Sequence, residues 1–308
     1  MRALWASLVF CLLSVDAPTV EGVRAQGPLS DIPDAGASDH VCWIYDDDAE
    51  FDRAVEEFLA GGLERGERLL CIGERVIESL QGVSLHARDV PSLIAAGVLE
   101  TQTLAQAYEA AGPFLPENQL AYYAAATRRA LADGYRGLRV VAEVSVLAAA
   151  QPTRSELVRW EHVADEFIAQ ATGFTAMCAY DGELTEEALA DVASVHPLVH
   201  APAGLLPFRV FFEDDHLTVA GSVDTFTADR LARVLACSPV GGEVVVLDLR
   251  LVEFVDVAGA RVIARWAQQL GPSPVPLEVR GASRLMRRMW QVLALDEIAP
   301  VTFAGAAA

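Results

Sequence analysis

A chain of 308 residues is long enough for two ordinary hydrophobic cores, and 53% hydrophobic residues exclude a disordered polymer. Its 43 acidic and 23 basic side chains leave a formal charge of -20, which argues against binding nucleic acid or an anionic membrane and fits protein partners. Five cysteines, odd in number and scattered, provide no disulfide framework.

The chain opens with MRALWASLVFCLLSVDA, where Arg2 precedes an apolar stretch from Ala3 to Val15, as in a secretory signal. That stretch is too short to span a bilayer comfortably. The triplet Val23-Arg24-Ala25 offers a cleavage site, but it lies well beyond the apolar core with Glu21 between, and Pro18 spoils an earlier site after Ala17. A start assigned too far upstream would produce the same pattern. The expectation is a cytoplasmic protein in which residues 1–38 form an unstructured extension.

From residue 39, strand and helix signals alternate. In order they are VCWIY, a helix over 47–63, RLLCIGE, a helix near 75–80, SLHARD, a helical segment from Pro91, and GLRVVAEVSVL. A long helix over 152–171, the strand FTAMCAYDGE, a helix over 185–192 and the pair His196-Pro197 follow. Such alternation implies a mostly parallel sheet with helices on both faces, whose functional groups gather at the strand carboxyl ends. Within the acidic run Asp46-Asp47-Asp48, Asp47 or Asp48 is read as a helix N-cap, because three consecutive aspartates converge poorly on one metal.

Several side chains here are candidates for binding a ligand. His40, Cys42 and Tyr45 are expected to share a face of the first strand, while Glu74, Glu143, Cys178 and Tyr180 fall at the ends of others, and His196 lies nearby. Glu143 follows the apolar run Leu138 to Ala142 and needs a partner, with Arg139, Arg75 or a ligand in view. Glu161 sits mid-helix, where solvent is an equally good environment. Cys42, Cys71 and Cys178 read as small buried hydrophobes. No Cys-x2-Cys pair with a second pair occurs, and His40-x-Cys42 is too tightly spaced for a zinc knuckle, so neither metal nor cofactor is expected.

The stretch HAPAGLLP, with two prolines and a glycine, divides a first domain at 39–200 from a second domain at 208–308 through a linker at 201–207. In the second domain LTVAG is a strand broken at Gly221, Asp224 begins a loop, and a helix carries Leu231, Val234 and Leu235. The segment VVVLDLRLVEFVDVAGARVIARW reads as a buried strand, a second short strand and a tight turn into an amphipathic helix. Asp256 would cap that helix, and Gly259 would allow close backbone approach. PLEVRGASRLMRRMWQVLALDE adds a strand, Gly281, a helix start at Ser283 and a last helix.

Three segments of this second domain resemble the STAS fold of sulfate transporters and anti-sigma-factor antagonists, in the right order. They are Leu217, Gly221 and Asp224, the series Asp248, Leu249, Val252, Phe254, Asp256 and Gly259, and LEVRGAS. In the antagonists the residue after the second aspartate is a serine or threonine phosphorylated by a partner kinase. Here it is Val257, which cannot carry a phosphoryl group. The resemblance implies a docking surface of Asp224, Asp256, Val257, Ala258, Gly259 and Arg261 for an anti-sigma factor or related kinase-fold protein. Ser222, Ser273 and Ser283 read as cap or loop serines rather than substitute switches.

The first domain resembles the MEDS sensory domain, itself similar to the KaiC and RecA-like ATPases. The residues are HVCWIY from His40, FLAGGLERGE from Phe58, GYRGLRVVAE from Gly134, RWE at Glu161, CAYD from Cys178 and the His196-Pro197 pair. Where such ATPases carry a P-loop this chain has Tyr45-Asp46-Asp47-Asp48, which would repel a triphosphate. Val146 stands where the pattern tends to have tryptophan, so a pocket wall is expected to differ. The resemblance implies sensing of a small organic, hydrocarbon-derived ligand. The whole reads as a non-enzymatic regulator; the alternative is a small-molecule enzyme with Glu143 as base and His40 or Cys42 nearby.

Overall fold

The computed structural model describes residues 24–30, 36, 38–240, 244–270 and 276–304. The signal-like segment over 1–23 and Ser273 lie outside them. The chain divides into two compact units at Leu205–Leu206.

In chain order the first unit comprises β1 (Gly27–Pro28), β2 (His40–Tyr45), α1 (Asp48–Arg65), β3 (Arg68–Ile72) and α2 (Glu74–Ser79). A small hairpin of β4 (Ser84–Leu85) and β5 (Arg88–Asp89) follows, then α3 (Val90–Ala95), β6 (Leu99–Gln102), α4 (Leu104–Ala111) and α5 (Pro116–Ala132). The unit ends with β7 (Leu138–Glu143), α6 (Ser145–Ala148), α7 (Thr153–Ala169), β8 (Phe174–Asp181), α8 (Glu186–Ala193) and β9 (Leu198–His200). Among the described residues the main sheet has the order β1-β9-β2-β8-β7-β3-β6, parallel throughout. This is the α/β sheet expected from strand-helix alternation. The strand β6 and helices α4 and α5 are additions to the elements read from the sequence. Part of the expected extension is also ordered, since Gly27 pairs with Leu198 at the sheet edge and Arg24 reaches Asp165 at 2.5 Å.

The period of two along β2 decides which groups can meet. Val41, Trp43 and Tyr45 join Phe51, Val55, Phe58 and Leu59 of α1 in one core. His40 faces the opposite layer, where it meets α7. Tyr45, three residues beyond Cys42, therefore does not share a face with His40 and Cys42, and that expectation is corrected. Its ring stacks on Phe51 at 4.3 Å.

Local chemistry explains the start of α1. Asp47 is extended and accepts the Glu50 amide at 2.8 Å, so the acidic run caps the helix as expected. Arg75 binds Asp48 and Asp52 at 3.1 and 2.7 Å. The fully buried Arg139 binds Glu67 at 2.5 Å and donates to the Phe58 carbonyl. Glu143 is paired differently from either arginine in view, through the Ser145 amide and hydroxyl.

The second unit runs β10 (Phe208–Glu213), β11 (His216–Val223), α9 (Ala228–Cys237), β12 (Val245–Val255), α10 (Val257–Gln269), β13 (Leu277–Arg280), α11 (Arg284–Val292) and β14 (Val301–Phe303). Its described sheet has the order β10-β11-β12-β13-β14, with only the first pair antiparallel. The two strands expected within 244–255 are one strand of 11 residues, whose outer half still pairs with β11 through Val255. Nor does Gly221 end β11; register shifts on either side of it absorb the irregularity. Gly221 has φ +93°, and a Cβ there would lie 2.3 Å from the Pro207 carbonyl oxygen, so only glycine fits.

Two stability predictions follow from these contacts. Glu67→Ala removes the carboxylate that faces the buried Arg139 guanidinium and is expected to destabilise the first unit by about 3–5 kcal/mol in urea denaturation. Asp256→Ala removes the α10 cap, and a loss of about 0.5–2 kcal/mol is expected for the second unit, read by the same denaturation.

Candidate functional site

The helix α7 carries a buried stripe at Leu157, Trp160, Ala164 and Ile168, and within it stand two carboxylates, Glu161 and Asp165. Residues three and four apart share a helix face, so both acids are carried into the layer between α7 and the sheet. Isolated buried carboxylates cost far too much to persist, and these two are met by histidines.

His40 spans both of them. Its Nδ1 lies 3.2 Å from Asp165 Oδ1 and its Nε2 3.3 Å from Glu161 Oε2. His196, just after α8, places Nε2 3.6 Å from the same Glu161 oxygen while Nδ1 donates to the Val192 carbonyl at 2.9 Å. Cys178 of β8 brings Sγ to 3.2 Å from Glu161 Oε2 and 3.6 Å from His40 Nε2. Tyr180, two residues on and so on the same face, donates its hydroxyl to Glu161 Oε1 at 2.8 Å. One donor atom from each of His40, Glu161, Cys178 and His196 lies within 4.8 Å of the other three. All four side chains are buried.

The electrostatics are strongly coupled. Burial opposes ionisation of Glu161, yet His196 and His40 hold its carboxyl well below the usual range. Burial also opposes a charge on His40, but Asp165 and Glu161 raise its pKa above the ordinary value. His196 is lowered by burial and by the neighbouring His40. Burial and the Glu161 charge push the Cys178 thiol well up, and the same causes raise Cys42 and Tyr180. The adjacent His162 is held neutral, its pKa pushed down to about 4 by burial.

A cavity of about 40 Å³ adjoins this cluster. His40, Glu161 and Cys178 line it on one side; Leu104, Tyr108 and Phe114 bring in the α4 region, and Tyr123 and Trp160 close it with stacked rings 5.3 Å apart. The chamber is thus an apolar space ending in imidazole, thiol and carboxylate. Val144 and Leu147 belong to its wall, whereas Val146 points outward at 66% exposure, so the departure at that position does not alter the cavity lining.

The ligand-binding candidates divide into two groups. His40, Tyr180 and His196 converge on Glu161, and Cys42 is buried opposite Cys178 in the register of β2 and β8. Tyr45, Glu74 and Glu143 instead lie at the strand carboxyl ends and do not line the cavity. Burial, and then the nearby Asp181 and Glu74 charges, act against ionisation of Glu143. The group that joins His40 and Tyr180 is therefore Glu161, not Glu143.

In the second unit, Asp256 accepts the Ala258 and Gly259 amides at 2.8 and 3.0 Å and the Thr225 hydroxyl at 2.9 Å. Asp224 closes its own loop by accepting the Phe226 and Thr227 amides. The two loops are thus held side by side. A Cβ at Gly259 would come within 3 Å of Val223 and Val255 methyl groups, so glycine permits the close contact of helix and strands. Val257 and Arg261 are exposed, Ala258 is half-buried, and Phe226 and Phe254 beside them are 94% and 50% exposed. These two rings are an apolar addition to the six expected docking residues. Ser283 is the α11 cap, accepting from the Met286 amide.

Comparison with known proteins matches the architecture. The family described as "Mlab, STAS domain" covers residues 209–301, so the second unit carries a STAS domain. Among solved structures the chain is similar to an anti-sigma factor antagonist from Mycobacterium paratuberculosis, with 26% identity, 31% of this chain and 83% of that chain covered, and a TM-score of 0.26. None of the curated proteins matches. The family described as "MEthanogen/methylotroph, DcmR Sensory domain" covers residues 39–197, more than half of the chain, and the protein belongs to this MEDS family.

Proposed function

We propose that the chain is a signalling regulator whose MEDS domain senses a small organic ligand and whose STAS domain binds an anti-sigma factor or a related kinase-fold protein. Its domain content is that of non-enzymatic regulators, and no described helix is long and apolar enough to cross a membrane. The observation that carries the sensing half is the mostly apolar cavity whose lining includes His40, Glu161 and Cys178. Its 40 Å³ has room for about three water-sized groups at roughly 10–15 Å³ each, which suits a compound of few heavy atoms with one polar end. On the output side, Val257 excludes phosphorylation at the position used by antagonists, so control has to come from elsewhere in the chain. The exposed Phe226, Phe254 and Val257 beside Asp256 supply an apolar anchor for a protein partner.

A second reading has one observation in its favour. Cys178, His40 and Asp165 follow one another in the order nucleophile, base, orienting acid. Glu161, 3.2 Å from the sulfur, opposes a free thiolate there, and this makes catalysis the weaker reading.

Two measurements test the regulator. Ala258→Glu places a charge in the first turn of α10, where the helix dipole tolerates it, and is expected to leave the melting temperature unchanged while weakening partner binding at least about tenfold. Unchanged affinity of the full chain for a captured kinase-fold partner would remove the junction from the interface. Ala107→Phe fills the cavity from the half-buried side of α4. A small organic compound that raises the melting temperature of the unmodified chain and shifts its partner affinity should do neither in this variant; equal responses in both would exclude the cavity as the sensor.

A further inference from the structure

We infer that His40, Glu161, Cys178 and His196 form a binding site for a divalent transition-metal cation of the zinc class, held at the inner end of the cavity. In its bearing on sensing this deepens the reading above and rests on it; cation binding itself is measurable without it.

Geometry makes the first argument. Tetrahedral zinc with bonds of about 2.0–2.3 Å has ligand atoms about 3.3–3.8 Å apart. The measured separations are 3.2 Å for Cys178 Sγ to Glu161 Oε2, 3.3 Å for His40 Nε2 to Glu161 Oε2, and 3.6 Å for both Cys178 Sγ to His40 Nε2 and His196 Nε2 to Glu161 Oε2. Donors from β2, α7 and β8 thus stand at coordination spacing from one another, His196 after α8 stands so from Glu161, and all four lie within 4.8 Å of one another.

An unsatisfied nitrogen makes the second. His196 Nδ1 lies 2.9 Å from the Val192 carbonyl, which only accepts, so that nitrogen is committed to the backbone. The other nitrogen, Nε2, is fully buried, stands 3.6 Å from Glu161 Oε2 and has no hydrogen-bond partner among the described residues. A cation between the two supplies the contact that this nitrogen lacks.

Outer contacts are of the kind metal ligands need. Asp165 receives the second nitrogen of His40, Val192 that of His196, and Tyr180 occupies the free oxygen of Glu161. Arg24 in turn holds Asp165. On binding, the Cys178 thiol proton and any proton on His40 Nε2 are lost to solvent as the sulfur-metal and nitrogen-metal bonds form, while His40 Nδ1 keeps its hydrogen toward Asp165. One thiolate and one carboxylate then neutralise a divalent ion, leaving no net charge in a buried site. The two nitrogens and the sulfur select zinc-like ions over magnesium or calcium, which prefer oxygen.

The test uses the full chain, stripped with chelator and titrated with Zn²⁺ against a chromophoric competitor, and with Co²⁺ as an optical probe. One tight site per chain is expected, with a sulfur-to-cobalt charge-transfer band and the intense visible absorption of tetrahedral cobalt. Cys178→Ser should abolish the charge-transfer band, and Asp165→Asn should lower zinc affinity about 10–100-fold through loss of positioning. Cys71→Ser, in the opposite core, should retain both signals. Absence of a stoichiometric site, or a band that survives Cys178→Ser, would overturn the assignment. Zinc K-edge absorption of the unmodified chain needs no variant: a shell with one sulfur and nitrogen ligands supports the site, and an oxygen-only shell overturns it. A chain that binds no cation while a small molecule still shifts its partner affinity loses the metal and keeps the sensor.

Discussion

The constraint on which the first domain turns is the burial of two carboxylates on one helix. Glu161 and Asp165 lie in the apolar stripe of α7, and a sheet facing that stripe has to present groups that stabilise negative charge. His40 does so from the first residue of β2, bridging both acids; His196 comes in from the chain after α8, and Tyr180 and Cys178 from alternate positions of β8. Each of these partners is fixed by its own strand or helix. The polar cluster therefore also fixes the register in which α7 lies on the sheet, because a shift of one residue would expose the acids to apolar strands.

The same arrangement sets the cluster apart from the carboxyl ends of the sheet's strands. The strand carboxyl ends carry Tyr45, Glu74, Glu143 and Asp181, an acidic set that suits neither phosphate nor a helix-bound anion. The head of α1 is closed by the Asp47 cap and the Arg75 pairs. What remains available is the chamber between the sheet and α4, α5 and α7, whose aromatic walls end in the cluster. Its lining is mostly apolar, with the coordinating and hydrogen-bonding groups of His40, Glu161 and Cys178 among it.

In the second domain one carboxylate likewise organises the surface. Asp256 caps α10 and binds Thr225 of the neighbouring loop, so the residues around it present a set shape. A serine at 257 would be able to alter that surface by phosphorylation; valine makes it a permanent apolar feature beside Phe226 and Phe254.

Much of this was legible in the residues alone. Strand-helix alternation defined the sheet, and Asp47, Asp256 and Ser283 announced their caps, because these depend on contacts within three or four residues. Quoted motifs located both families. Glu161, in the middle of its helix, reads from the sequence equally well as a solvated residue, and its burial came only with the packing of α7 on the sheet. Only the tertiary structure decided which groups meet. His40 and Cys178 are brought together by parallel strands 138 residues apart, and Glu161 and His196 by the packing of separate helices. The side of the sheet on which Tyr45 points, the pairing of Arg139 with Glu67, and the separation of Glu143 from the cluster depend on the same long-range register. Local propensity specifies elements and their ends; it carries no information about which distant side chain will neutralise a buried charge.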